Sequence, residues 1–171
     1  MLILSSALID EMIAHAREQH PIEACGIIAG PAGSDRPTRL VRMRNILDSA
    51  VAYQFDAAEW LALNRQMDAR GEDPLVFYHS HTASPAAPSR TDTQCALDPD
   101  TRRPLHPDAH HVIVSTADPG RPMVRSWRLT PERILNPWIA EPTIVNADEL
   151  RKFTSAGNAI DWPAGQPHGD A

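Results

Sequence analysis

The run Leu75-Val76-Phe77-Tyr78-His79-Ser80-His81 restricts the fold of this chain more than any other segment. Four consecutive large, β-favouring apolar residues predict a central, buried strand. Side chains alternate between the two faces of a strand, so His79 and His81 share a face at its C-terminal end. In open α/β sheets that end is where ligands sit. Asp92, eleven residues beyond His81, can return to the same face from the next turn. Two imidazoles and a carboxylate form a three-ligand set for a divalent metal such as zinc. A fourth position stays open for water, which distinguishes a catalytic site from a structural one. The spacing therefore points to hydrolysis. A His-x-His pair alone also arises from surface chance or core hydrogen bonding. Here the pair ends an apolar strand and precedes a loop and a capped helix, where a site can rest on rigid elements.

The segments around this run alternate between helix and strand signals. Residues 2–4 read as a short strand, and Ser5 and Ser6 can cap a helix running to about His20. Ile9, Met12, Ile13 and Ala16 supply its apolar stripe, and Pro21 ends it. Ala24 to Ala29 is a buried-strand candidate closed by Gly30-Pro31, and Leu40 to Met43 a partly exposed one. Tyr53-Gln54-Phe55 reads as a short strand. Asp56 and Glu59 form a capping box for a helix to about Arg70, with Trp60, Leu63 and Met67 on its apolar side and Gly71 at its C-terminal cap. Ser89 is a helix N-cap with Asp92 in the first turn. Asp98 to Asp108 is a polar, proline-bearing loop. His111 to Ser115, Val124 to Leu129 and Thr143 to Val145 complete the strands. Alternation of strands and helices predicts an α/β domain, and several hairpin-like links make its sheet mixed. Residues 1–146 form the expected domain and 147–171 a C-terminal tail, disordered at least over its Gly- and Pro-rich end.

Composition excludes several classes. A chain of 171 residues with 42% hydrophobic content can bury a single core without metal or disulfide support. A net charge of −6 gives no electrostatic support for a nucleic-acid partner. No apolar run is long enough to span a bilayer, and the apolar start Met1 to Leu4 is too short for a signal peptide, so a cytoplasmic location is expected. Two cysteines do not make a secreted scaffold. Cys25 lies in an apolar strand, where a thiol is buried and inert, and Cys95 takes a core or helix-face role rather than a nucleophilic one. His106, His110 and His111 are expected in loop and strand-surface roles.

His79-x-His81, seven residues, Ser89, two residues and Asp92 resembles the JAMM (MPN+) metalloprotease signature, together with Glu23 upstream in Pro21-Ile22-Glu23-Ala24-Cys25-Gly26. The resemblance covers about residues 1–145. It implies a single MPN domain with a mixed, curved sheet flanked by helices in a cytidine-deaminase-like layout. The same resemblance implies His79, His81 and Asp92 as ligands to one Zn2+ per chain, and Glu23 as general base to the water. Ser89 becomes the donor to the developing oxyanion. Ser89 as a cap only, or Asp92 as a partner to the helix dipole only, are the plainer alternatives. A zinc deaminase would need a Pro-Cys-x-x-Cys pair, which does not occur.

Thr82 stands where most members of that family carry Pro. Glu23-Ala24-Cys25-Gly26, Tyr78 to Thr82 and Pro88 to Asp92 resemble the actinobacterial sulfur-carrier peptidases. That branch implies a small ubiquitin-like sulfur carrier with a C-terminal Gly-Gly as partner. The expected reaction hydrolyses the amide at that tail, releasing cysteine or trimming the carrier for activation. A homodimer, a non-catalytic MPN scaffold and a JAMM isopeptidase for another ubiquitin-like protein are the alternatives. The Asp98–Asp108 loop and the tail depart from the branch, so they are the expected sites of substrate choice.

Overall fold

The apolar run ending at His81 forms the longest strand of the sheet and positions everything else. A computed structural model describes residues 2–130, 137–141 and 144–146. In chain order the elements are β1 (Leu2–Leu4), α1 (Ser6–Gln19), β2 (Cys25–Pro31), β3 (Arg39–Met43), α2 (Ala57–Arg70), β4 (Glu72–His81), α3 (Arg90–Ala96), β5 (His110–Ser115), β6 (Met123–Leu129), β7 (Trp138–Ala140) and β8 (Ile144–Asn146). Six strands form one sheet in the order β3-β2-β4-β5-β6-β7, and β1 pairs with β8 separately. Only β4 and β5 run parallel within the six; the other neighbours are antiparallel. The expected mixed α/β sheet is therefore present. The 147–171 tail lies outside the described residues.

Period-two alternation splits the core into two layers. Ile28, Val76, Tyr78, Val112 and Val114 pack with Leu8, Met12 and Ala16 of α1. Ile27, Ala29 and Phe77 face the other way and pack with Leu63 and Met67 of α2. His79 and His81 share the parity of Phe77 and so project on the α2 side. Gly26 permits this central pairing: a Cβ there would lie 2.4 Å from the Val41 carbonyl oxygen and 2.7 Å from Tyr78 Cε1.

Helix ends follow the local sequence signals. Ser5 Oγ accepts from Leu8 N–H at the start of α1. Asp56 accepts from the N–H groups of Ala58 and Glu59, and Gly71 closes α2 at φ 64°, in the left-handed region glycine favours. The expected Asp56–Glu59 box is only half formed, because the Glu59 carboxylate instead accepts from Arg44 N–H at 3.3 Å. Tyr53-Gln54-Phe55 is not a strand. A single bridge joins Phe55 to Asn45, since the Asn45 side chain occupies the N–H groups of Leu47 and Gln54.

The three additional histidines are more internal than expected. His106 stacks on Phe77 with ring centres 4.4 Å apart. The His111 ring also stacks on Phe77, with ring centres 5.9 Å apart, and meets Trp138 edge-on. His110 pairs with Glu141 at 2.6 Å, and Ser126 Oγ donates to the same carboxylate. Parallel pairing of Phe77 with His111 explains this, because it brings the start of β5 over the α2-side core.

Candidate metal centre

β4 delivers both imidazoles to the α2 side, and the first turn of α3 brings Asp92 back to them. The Nε2 atoms of His79 and His81 lie 3.1 Å apart. Asp92 Oδ1 lies 3.3 Å from His79 Nε2, and Oδ2 lies 3.3 Å from His81 Nε2. All three side chains are buried. A tetrahedral ion with bonds of about 2.0–2.1 Å has ligand–ligand edges of about 3.3–3.4 Å. The separations between neighbouring donor atoms thus approach those edges, and one ligand atom from each residue lies within 4.8 Å of the others.

The neighbours fix each donor. His81 Nδ1–H donates to the Pro85 carbonyl at 2.8 Å, which leaves the Nε2 lone pair facing the cluster. The Tyr53 ring stacks on His79 at 4.7 Å. Ser89 caps α3: its Oγ accepts from Asp92 N–H at 3.1 Å, while its own N–H donates to Asp92 Oδ2 at 2.6 Å. Burial favours the neutral acid at Asp92, but hydrogen bonds from His79 and His81 outweigh it and hold the carboxyl well below its usual range. Burial likewise disfavours charge on His81, but Asp92 and the Pro85 carbonyl raise its pKa overall.

Glu23 joins this group from the segment just before β2. Cys25 pairs with His79 in antiparallel register, so the chain just before Cys25 runs alongside His81. The Glu23 side chain is buried, and its Oε2 has no hydrogen-bond partner. Burial pushes the carboxyl up to about 7, with His81 pulling it down and Asp92 pushing it further up. A buried carboxylate oxygen without a partner, beside two imidazoles and a second carboxylate, fits a site built around a cation and its water.

No sequence signal marks several residues that hold this arrangement. Asn45 Nδ2 donates to the carbonyls of Glu23 and Ala52 at 3.0 and 3.1 Å, and Oδ1 accepts from Leu47 and Gln54 at 3.1 and 3.2 Å. Glu23 N–H donates to the Ser49 carbonyl, and Thr82 Oγ1 donates to the Ala50 carbonyl. The 45–55 loop is thereby tied to both halves of the site. On the opposite face of β4, Ser80 Oγ accepts from Ala24 N–H at 2.8 Å and locks β2 to β4. Cys25 is fully buried and burial pushes its thiol up to about 12, so it is inert. The exposed Cys95 also has its thiol raised by burial and by Asp92.

An α/β sheet that collects two imidazoles, an ionised carboxylate and a near-neutral glutamic acid at one strand end has the acid–base groups of a hydrolase, with a site consistent with a metal ion. The chain belongs to the prokaryotic homologs of the JAB domain, whose family model matches residues 5–130. A CysO-cysteine peptidase of Mycobacterium tuberculosis is 47% identical over 129 residues, covering 75% of this chain and 83% of that protein. A desampylase of Haloferax volcanii is 33% identical over 103 residues, covering 57% and 74%. A solution structure of a Desulfitobacterium hafniense protein superimposes with a TM-score of 0.69 at 30% identity, covering 85% of this chain and 93% of that one.

Proposed function

We propose that this protein is a zinc-dependent peptidase that hydrolyses the amide at the C-terminal Gly-Gly end of a small ubiquitin-like sulfur carrier. The reaction releases cysteine or trims the tail so that the carrier can be activated. The observation that carries the reading is the convergence of His79, His81 and Asp92 at 3.1–3.3 Å beside a Glu23 carboxyl pushed up to about 7. The similarity to a CysO-cysteine peptidase supports the choice of substrate class.

His79, His81 and Asp92 would hold the zinc ion, and Pro85 and Ser89 keep their donor atoms in place. When bound, zinc supplies a Lewis acid and a water acidified to a pKa of about 7. The Glu23 carboxyl, poised near neutrality, would hold the proton of the attacking water and pass it to the leaving amine. The Ser89 hydroxyl accepts from Asp92 N–H through a lone pair, so its own hydrogen is free to donate to the developing oxyanion. All five groups come from one chain, so a single copy suffices. Among the described residues no helix is long and apolar enough to cross a membrane. A cytoplasmic location belongs to the same proposal, as the place where such a carrier would meet the enzyme.

The test combines metal analysis with cleavage of a Gly-Gly-Cys carrier. Wild-type protein should bind one zinc per chain and release cysteine. Glu23→Gln should retain the zinc and lose at least 10³-fold in kcat. Cleavage by a fully stripped preparation, or absence of zinc from a well-folded protein, would overturn the reading, the latter in favour of a non-catalytic scaffold.

A further inference from the structure

An aromatic cavity of about 360 Å³ opens beside the metal centre, on the same face of β4. Phe77, Tyr53, Trp60 and His106 line it together with the exposed Leu47 and Leu105. Leu47 and Leu105 are 46% and 50% exposed, unusually high for large apolar side chains flanking a concavity. The cavity adjoins the centre through Tyr53, which lines it and stacks on His79. Among the described residues, none that lines it carries a permanent charge. Burial keeps its two histidines neutral, lowering His106 and holding His111 at about 3. A charged occupant would therefore lose its hydration without gaining a counter-ion.

The distance from the centre selects the occupant. Phe77 precedes His79 by two residues on one strand face, a separation of about 6.6 Å at roughly 3.3 Å per residue. An extended Gly-Gly spans about the same length. A substrate whose scissile amide lies at the His79–His81 centre and whose diglycine follows β4 back toward Phe77 thus places its next side chain over the cavity. A single residue beyond the amide, such as a released cysteine, stays too close to the centre to reach it. Building on the peptidase reading above, we propose that this cavity is a specificity pocket for an uncharged, apolar side chain immediately upstream of the substrate's Gly-Gly.

The experiment uses the zinc-loaded full chain and peptides ending in X-Gly-Gly-Cys, with X as Leu, Gly, Lys or Glu. Burying a leucine side chain should raise kcat/KM about 10- to 100-fold over glycine, and the charged peptides should fall at or below glycine. Cys95→Phe, an exposed position that lines the cavity, should collapse the Leu-to-Gly ratio toward one. Calorimetry with Glu23→Gln should show the same order of affinities without turnover. Equal cleavage of all four peptides, or selectivity that tracks the residue after the amide instead, overturns the pocket assignment while leaving the peptidase reading intact. Selective binding by Glu23→Gln without wild-type cleavage supports the pocket and sinks the peptidase reading. Absence of both binding and cleavage overturns both.

Discussion

Replacing Ser89 with glycine separates the capping role of its hydroxyl from the oxyanion role proposed for it. Ser89 sits at the N-cap of α3 with extended backbone, φ −81° and ψ 173°, and its Oγ accepts from Asp92 N–H at 3.1 Å. As a cap alone, serine is worth about 1 kcal/mol over alanine but only a few tenths over glycine. The Ser89 N–H bond to Asp92 Oδ2, at 2.6 Å, is a backbone bond and persists in either variant. Ser89→Gly should therefore keep stability within about 0.5 kcal/mol and keep its zinc. As an oxyanion donor, the hydroxyl is worth about 10²–10³ in kcat, or about 2.7–4 kcal/mol of barrier. Ser89→Ala should lose a similar factor in kcat and also about 1 kcal/mol in urea unfolding. Zinc content, urea midpoint and kcat on one carrier preparation decide the matter. A Ser89→Gly enzyme with one zinc and kcat within about threefold of wild type refutes the oxyanion role. A parallel loss of zinc and activity refutes the claim that the backbone bond alone positions Asp92.

Three further outcomes follow from the geometry. Asn45→Ala removes four hydrogen bonds and should cost about 2–4 kcal/mol in urea unfolding; it should also lower kcat at least tenfold with zinc retained, because Glu23 keeps only its N–H bond to Ser49 and loses its other tie to the 45–55 loop, and a cost below about 1 kcal/mol contradicts this. Gly26→Ala should destabilise by several kcal/mol or prevent folding, since the new methyl meets the Val41 carbonyl oxygen at 2.4 Å; a thermal midpoint near wild type would show that the strands can separate there. Buried His15, hydrogen-bonded to the Tyr78 hydroxyl at 2.9 Å, is held at about 4 by burial and by the Arg42 charge, with Glu18 opposing. The unfolded chain binds that proton from pH 6.5 downward and the folded chain only near 4, so stability falls as pH drops through this window, by up to about 3 kcal/mol. His15→Gln should lack that slope, and parallel stability–pH curves for the two proteins would refute the assignment.

The main elements were legible because their signals are local. Ser5, Asp56, Ser89 and Gly71 cap the helices they were expected to cap, and the alternation around Phe77 assigns both layers of the core. The expected strand at Tyr53–Phe55 failed because Asn45, eight residues away from Tyr53, takes over the hydrogen bonds a ladder would use. The inward positions of His106 and His111 were illegible for a related reason: the Phe77–His111 pairing is a long-range register that no short window encodes.

What the sequence determined by itself is the chemistry on offer. The strand parity of His79 and His81, the cap at Ser89 and the first-turn Asp92 all depend on separations of a few residues, where backbone geometry alone dictates direction. Tertiary structure decided what those groups become. Pairing of β2 with β4 buries Glu23 beside His81 and pushes its carboxyl up to about 7, and the 45–55 loop holds it there through Asn45. The same packing sets Tyr53, Trp60 and His106 around Phe77 as a cavity next to the candidate metal centre. Burial and desolvation are properties of surroundings assembled from distant segments, so only the folded chain could fix the protonation of Glu23 and the shape of that pocket.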